Sequence, residues 1–401
     1  MSDHDPLLAF RPEFPILERT TYLVSNSLGA MPRTVPDRLA EYVDEWATLG
    51  VRAWAKKGGW WEMPVRVGDE IAPLIGADTG DVVMVPNVTA GQASVLSALE
   101  YSGKRNRIVM TAEDFPSVRY VYQSLATRLG AEIVVVPRGA DALGIDLDRL
   151  LAAIDDRTRL VAISHVLFRS AYIMEVEAVC RRAHEVGALV SLDSFHAVGV
   201  IPVDVKRIGC DFLTGGVLKW LCGGPGGCFL YVAPAVRTKY SPSLTGWQAH
   251  AHPFDFAPEM EYAADVFRWL GGTPVIPALY AATEGPRIVR RAGIDAIRAK
   301  STRQTSRLIE LADARGYRVH APRDPAHRGG TVAVDVPHAY GVAQFLLSRD
   351  VIVDFRPGAG IRIAPHFYTT DAECESVMAM IDEALETEGW RGYEREKAVV
   401  T

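Results

Sequence analysis

The stretch TRLVAISHVLFRSAYIMEVEAVCRRAHEVGALVSLD (158–193) decides the fold class. Each end carries a short apolar run, TRLVAISH (158–165) and GALVSLD (187–193). Between them, EVEAVCRRAHEV (175–186) places Val176, Val179, Cys180 and Ala183 on one stripe at helical spacing. A strand, an amphipathic helix and a second strand predict a βαβ unit and a mostly parallel sheet. The alternation continues outward: NRIVMT (106–111), AEIVVVP (131–137) and CDFLTG (210–215) read as further buried strands. The segment after FPSV reads as a helix, and VPNVTAGQASVLSAL (85–99) as strand, turn and helix. The fold class is α/β.

From about 240 to 275 the texture changes to a stretch rich in Gly, Pro and aromatics. One long helical pattern then runs from about 285 to 315. GTVAVDV (330–336), VIVDF (351–355) and IRIAP (361–365) read as strands, with YGVAQFLLSR (340–349) and DAECESVMAMIDEAL (371–385) as helices. The spacing predicts a small α+β domain after a large one. Neither an internal repeat nor a low-complexity tract is present.

The 401 residues suit two or three ordinary domains, or one large domain with an appendage. Hydrophobic residues make up 48% and charged ones 23%, which is globular. With 43 basic and 49 acidic residues the net charge is −6, and no basic block exists to neutralise a phosphate backbone. Nucleic acid is excluded as an expected partner. The opening MSDHDPLLAFRPEF is acidic and proline-broken, unlike a secretory signal, and no apolar run reaches the roughly 18 residues of a membrane span. Five irregularly spaced cysteines argue against a disulfide scaffold, and no Cys or His pair has metal-ligand spacing. A cytoplasmic protein with no membrane partner and no metal is expected.

The chemistry gathers in SLDSFHAVGVIPVDVKRIGCDFLTGGVLKWLCGGPGGCFLYV (191–232). Asp193 ends an apolar strand, where open α/β sheets place their ligands. Lys219 follows the next strand and precedes a glycine-rich run. An aldehyde cofactor such as pyridoxal 5′-phosphate (PLP) needs a lysine for a Schiff base and a carboxylate facing its pyridinium nitrogen. The pair alone reads equally as a turn cap and a surface lysine.

Carboxylate, histidine, lysine and the trailing Gly-Pro-Gly run together resemble the class V aminotransferase group of fold-type I PLP enzymes, and within it the kynureninases. The resemblance covers about residues 20 to 390. It implies a large domain with a seven-stranded, mostly parallel sheet and a small α+β C-terminal domain. Its domains would comprise an N-terminal segment 1–50 joining the site, a PLP-binding domain 51–285 and a small domain 286–401. It implies that Lys219 binds the cofactor covalently, that Asp193 pairs with the ring nitrogen, and that His196 lies close by. YLVSNSLGAMP (22–32) is similar to the family's NSLG loop, which puts Asn26 and Ser27 beside the substrate. Val88 and Thr89, at a predicted helix start, would hold the cofactor phosphate. DFPSVRY (114–120) resembles the Phe-Pro-Ser segment, so Phe115 would stack on the pyridine ring.

SLTGWQAHAHPFDF (243–256) resembles a Gly-Trp-Trp-Gly-His stretch, which brings Trp247 to the phosphate region. FRWLGGTPVIPAL (267–279) matches a segment that crosses the dimer interface, where Thr273 would reach the neighbouring subunit's phosphate. VIVDFRPGAGIRIAPHFYTT (351–370) resembles the segment bearing the carboxylate-binding arginine, here Arg362, whose planar fork suits a carboxylate. A homodimer with shared sites, acting on a small amino acid, is the family's implication.

Some positions depart from the family. Leu218 replaces the usual tyrosine before the lysine, Val118 an aspartate, and Gln248 a second aromatic. SHVLFRSAYIM (164–174) lacks the usual tyrosine and glycine. The resemblance implies hydrolytic cleavage of kynurenine, in tryptophan catabolism. The departures keep open a class V aminotransferase or β-lyase. Cysteine desulfurase chemistry is disfavoured, because the one late cysteine, Cys374, follows Arg362 on an amphipathic helix. A PLP-fold protein without catalysis runs against the retained Lys219, Asp193 and Arg362. A dinucleotide oxidoreductase lacks its G-x-G-x-x-G after the first strand.

Overall fold

The computed structural model describes residues 5–393. Strands are numbered along the chain: β1 Thr21–Tyr22, β2 Val82–Val85, β3 Arg107–Thr111, β4 Glu132–Val136, β5 Thr158–Ser164, β6 Leu189–Asp193, β7 Phe212–Gly216, β8 Cys228–Val232, β9 Arg318–Val319, β10 Val332–Asp335, β11 Val351–Ile352, β12 Asp354–Arg356 and β13 Gly360–Ile363.

Seven of them form one sheet in the order β2-β8-β7-β6-β5-β3-β4. Strands β3 to β7 pair in parallel, while β8 runs antiparallel to both β7 and β2. The reversal follows from the connection. β7 returns to β8 through the loop 217–227 with no crossover helix, and a parallel return needs about a dozen residues or more. One edge of the sheet therefore collects the C-terminal ends of β2, β3, β5, β6 and β7 and the start of β8. The central strands β6 and β7 are buried at every residue, as parallel strands covered on both faces must be.

The helix Val176–Glu185 buries the expected stripe, Val176, Val179, Cys180 and Ala183. A fully buried valine contributes about 1.5–3 kcal/mol. The expected single helix over 285–315 is instead two, Glu284–Ala292 and Ile294–Ala314. Gly293 divides them with φ +82°, a conformation open to a residue without Cβ. All five cysteines are buried and unpaired with one another, as packing thiols are. Among the described residues no helix is long and apolar enough to cross a membrane.

A second sheet has the antiparallel order β12-β13-β10-β9. The expected strand VIVDF splits here. Its first half, β11, pairs in parallel with β1, and its second half, β12, pairs with β13. The N-terminal segment claims the backbone of the first half: Leu23 N–H donates to the Ile352 carbonyl at 2.9 Å. Leu23 in turn accepts from Ala364 at 2.7 Å, so β1 is stitched to both ends of this region. The closing helix Asp371–Glu386 starts with a capping box between Thr370 and Glu373.

In the β12–β13 register Asp354 faces Arg362 directly. Their side chains are 0% and 3% exposed, and Arg362 donates from Nε to Oδ1 at 2.6 Å and from Nη2 to Oδ2. Removing one partner of a buried ion pair strands the other charge. Asp354→Ala is therefore expected to cost about 3–5 kcal/mol in denaturant unfolding, against about 0–1 for a surface pair.

Candidate active site

The functional edge of the large sheet meets the small sheet around a cavity of about 330 Å3. Pro86, Asn87 and Val88 follow β2, Phe115 follows β3 and Phe168 follows β5. Asp193, Phe195 and His196 lie at the end of β6, and Leu218 and Lys219 follow β7. Asn26 and Ser27 come from the N-terminal loop, and Arg356 and Arg362 from the small sheet. A larger, more open groove of about 850 Å3 lies beside Arg318 and His320, but its lining holds no lysine.

Burial governs the ionisable groups. It raises the Asp193 carboxyl above the usual carboxylate range, offset by the Phe195 amide, which donates to Oδ1 at 3.0 Å, and by Lys219. It lowers the Lys219 ammonium, helped by the positive Arg362. It holds His196 well below its usual value, with Lys219 adding to the shift. Lys219 Nζ and His196 Nε2 lie 2.7 Å apart, a contact that two neutral groups can make. The rings of Phe195 and Phe115 have centroids 4.8 and 5.4 Å from Nζ.

The local fold holds the lysine in place. Val217 N–H donates to the Gly227 carbonyl, and Cys222 N–H to the Lys219 carbonyl, closing the turn. Gly29 N–H donates to the Leu218 carbonyl at 2.8 Å. A Cβ on Gly29 would stand 2.1 Å from the Lys219 carbonyl oxygen, so only glycine lets the N-terminal loop approach. Tyr368 Oη pins that loop through Ser25 Oγ at 2.8 Å and the Ala30 amide at 3.3 Å.

The residues present fit PLP. The helix Val88–Ser97 starts at the cavity, and its cap Asn87 accepts from Ala90 N–H. The helix presents its positive end here, with the Thr89 amide ahead of the first intrahelical bonds and the Val88 backbone turned to the Cys228 thiol, a terminus that suits a phosphate. A carboxylate, Asp193, a buried amine whose pKa is lowered, Lys219, and an aromatic ring, Phe115, line the same cavity. Asn26 is fully buried, and both its amide atoms lack a protein partner. Such an amide is costly unless a ligand completes it.

Of the expected residues, Asn26, Ser27, Val88, Phe115, Asp193, His196, Lys219 and Arg362 line this cavity. Thr89 is exposed in the first helical turn and is not part of the lining. Trp247 is half-exposed, donates its indole N–H to the Pro253 carbonyl and packs on Trp61 and Phe254 away from the cavity. Thr273 is exposed beside a separate small hollow. Within one chain, neither Trp247 nor Thr273 joins the cofactor cavity. Val118 is buried in the apolar core, and Gln248 is buried with its amide unpaired. The sequence reading missed Phe168, Phe195, Asp354 and Arg356. The last two were visible as alternate residues of DFR opposite the arginine of GIR; Phe195 stood between two residues already chosen.

The Aminotransferase class-V family model matches residues 21–368. A kynureninase from Burkholderia pseudomallei (strain 1106a) is 31% identical over 97% of this chain and 95% of its own length. A Pseudomonas fluorescens kynureninase is 32% identical over 96% and 94%. Among solved structures, an apo cysteine desulfurase from Thermococcus onnurineus NA1 superposes with TM-score 0.83, at 24% identity, over 96% of this chain and 99% of that one. That likeness shows the fold, while the kynureninase identity runs almost end to end. With a lysine, a carboxylate and a helix N-terminus at one sheet edge, the chain belongs to the class V aminotransferase group of fold-type I PLP-dependent enzymes, and within it to the kynureninase family.

Proposed function

We propose that this enzyme hydrolyses the Cβ–Cγ bond of L-kynurenine or a ring-substituted kynurenine, consuming water and releasing an anthranilate and L-alanine. The observation that carries the reading is the gathering of Lys219, Asp193, His196 and Arg362 with three phenylalanines in one cavity. The cytoplasm and tryptophan catabolism are the setting that fits this chemistry.

Bound PLP supplies an electron sink conjugated to the substrate's Cα. Lys219 would hold the cofactor and, once displaced, serve as the base at Cα, a task its lowered pKa suits. Asp193 would keep a proton on the ring nitrogen, and Phe115 would cover the ring face. His196 would stay close to the cofactor as a neutral hydrogen-bonding group. The Val88 and Thr89 amides would hold the phosphate. Arg362 would take the α-carboxylate with the N–H groups that Asp354 leaves free, and Asn26 and Ser27 would border the substrate. Phe168, Phe195 and Leu218 form an apolar wall that excludes bulk water.

Two copies would complete the site, with Thr273 serving the neighbour's phosphate and Trp247 reaching the phosphate region. Leu39, Val43 and Trp46 stand exposed at helical spacing along Val35–Leu49, an apolar stripe suited to cover by a second copy. The pairing of β1 with β11 supports an N-terminal segment 1–50 that joins the small domain, and the large and small domains would span 51–285 and 286–401.

One observation favours a second reading, a class V aminotransferase or β-lyase. Leu218 offers no hydroxyl to the cavity where relatives usually place a tyrosine.

Holoenzyme given L-kynurenine is expected to release fluorescent anthranilate and alanine without a keto acid. Lys219→Ala should lower that rate by at least about 100-fold. Turnover only with a keto acid, or none with any kynurenine, transfers the assignment to the second reading.

The electrostatics give a pH expectation. Borohydride-trapped labelling of Lys219 by PLP in apo protein needs the neutral amine. It should therefore rise with pH and level off well below the ordinary lysine range. Arg362→Gln removes a positive neighbour that lowers Lys219, so the profile should move to higher pH. A profile that stays put or moves to lower pH would contradict this account.

A further inference from the structure

Two guanidinium groups share one carboxylate at the small-sheet wall of the cavity. Asp354 and Arg356 lie two residues apart on β12 and so share a face, and Arg362 stands opposite Asp354 on β13. Arg362 takes both Asp354 oxygens, and its Nη1 also donates to the Phe168 carbonyl at 2.7 Å. Arg356 Nη2 lies 3.4 Å from the same carboxylate, and its Nη1 donates to the Phe355 carbonyl at 2.9 Å. The three side chains carry a net charge of about +1, because an arginine keeps its proton in proteins.

Depth separates the two arginines. The Arg362 side chain is 3% exposed and held on three sides, whereas that of Arg356 is 30% exposed. Both line the cavity. A fixed, deep guanidinium suits the α-carboxylate, which every amino acid has. The outer one, with most of its five N–H groups still to satisfy, meets whatever the side chain brings.

We propose that Arg356 is a specificity-determining residue that receives an oxygen acceptor on the substrate's side chain. The substrates it selects are α-amino acids with a carbonyl or carboxylate oxygen near Cγ. The inference rests on the proposed reading that Arg362 holds the α-carboxylate, and it names what discriminates among substrates at that site. Leu218 sharpens the need, since no phenolic hydroxyl serves a side-chain oxygen from that position.

The test is a binding titration of holoenzyme, read by the absorbance of its bound cofactor, with two matched ligands. L-2-amino-4-oxo-4-phenylbutanoate and L-2-amino-4-phenylbutanoate differ in a single carbonyl oxygen. Arg356→Gln is expected to weaken the oxo ligand roughly 10- to 100-fold, as for a lost charged hydrogen bond, and the other by less than about twofold. Arg356→Lys keeps the charge and should fall between. It also serves if the glutamine variant does not fold. Arg362→Gln should weaken both ligands together. Equal weakening of the two ligands in either Arg356 variant, or no weakening in either, overturns the proposal. Selective weakening in an enzyme that releases no anthranilate from kynurenine supports the acceptor site while refuting the hydrolase reading.

Discussion

A primary amine kept out of water is the constraint around which this protein is arranged. Lys219 is buried beside Asp193 and two aromatic rings, so its charged form loses hydration that the rings do not replace. The amine meets the imidazole of His196, which burial keeps from protonating, at 2.7 Å. Topology makes the encounter possible. Asp193 ends β6, the neighbouring β7 runs parallel to it, and the chain reverses directly from β7 into β8. That reversal carries the lysine over the end of the very strand that bears the carboxylate.

The small sheet acts on the same amine from the other side. Arg362 lowers the Lys219 pKa and Asp354 raises it, so the ion pair moderates the field that its arginine alone would impose. Its bond to the Phe168 carbonyl also ties β13 to the loop after β5. The cavity wall is thus held from both sheets by a buried charge pair whose geometry is fixed at three points. The N-terminal strand adds a third anchor, because β1 sits between β11 and the end of β13 while its loop touches the lysine turn. Residues distant in sequence thereby become one electrostatic unit.

Much of this was legible in the sequence because the large domain obeys local rules. Buried strands and one clean helical stripe give the sheet, and a carboxylate at a strand end marks the ligand edge. The sequence failed where two elements compete for one backbone. VIVDF reads as one strand, yet its halves pair with different partners, a choice made by the N-terminal segment far away. The helix over 285–315 fails for a local reason, a glycine with positive φ inside a continuous apolar pattern. Arg356 escaped because its meaning depends on the register that sets Asp354 against Arg362. Trp247 and Thr273 are legible only by resemblance, since the single chain does not bring them to the cavity.

The departures from the family also have a pattern. Val118 has joined the apolar core, Leu218 faces the cavity without a hydroxyl, and Ala171 holds φ +57° in a stretch where relatives usually carry glycine. Of the three, only Leu218 lines the cavity, while Val118 and Ala171 pack in the apolar core. Elsewhere in the lining polar groups persist: an unpaired Asn26 amide, Ser27 and two arginines. The cavity thus sets the apolar side chain of Leu218 beside the buried polar groups of Asn26 and Arg362. Apolar walls recognise shape weakly, whereas an unsatisfied buried donor rejects a ligand that lacks the matching oxygen. Under the proposed reading, selection would fall to the small sheet and the N-terminal loop, whose Gly29 amide is held by the lysine turn.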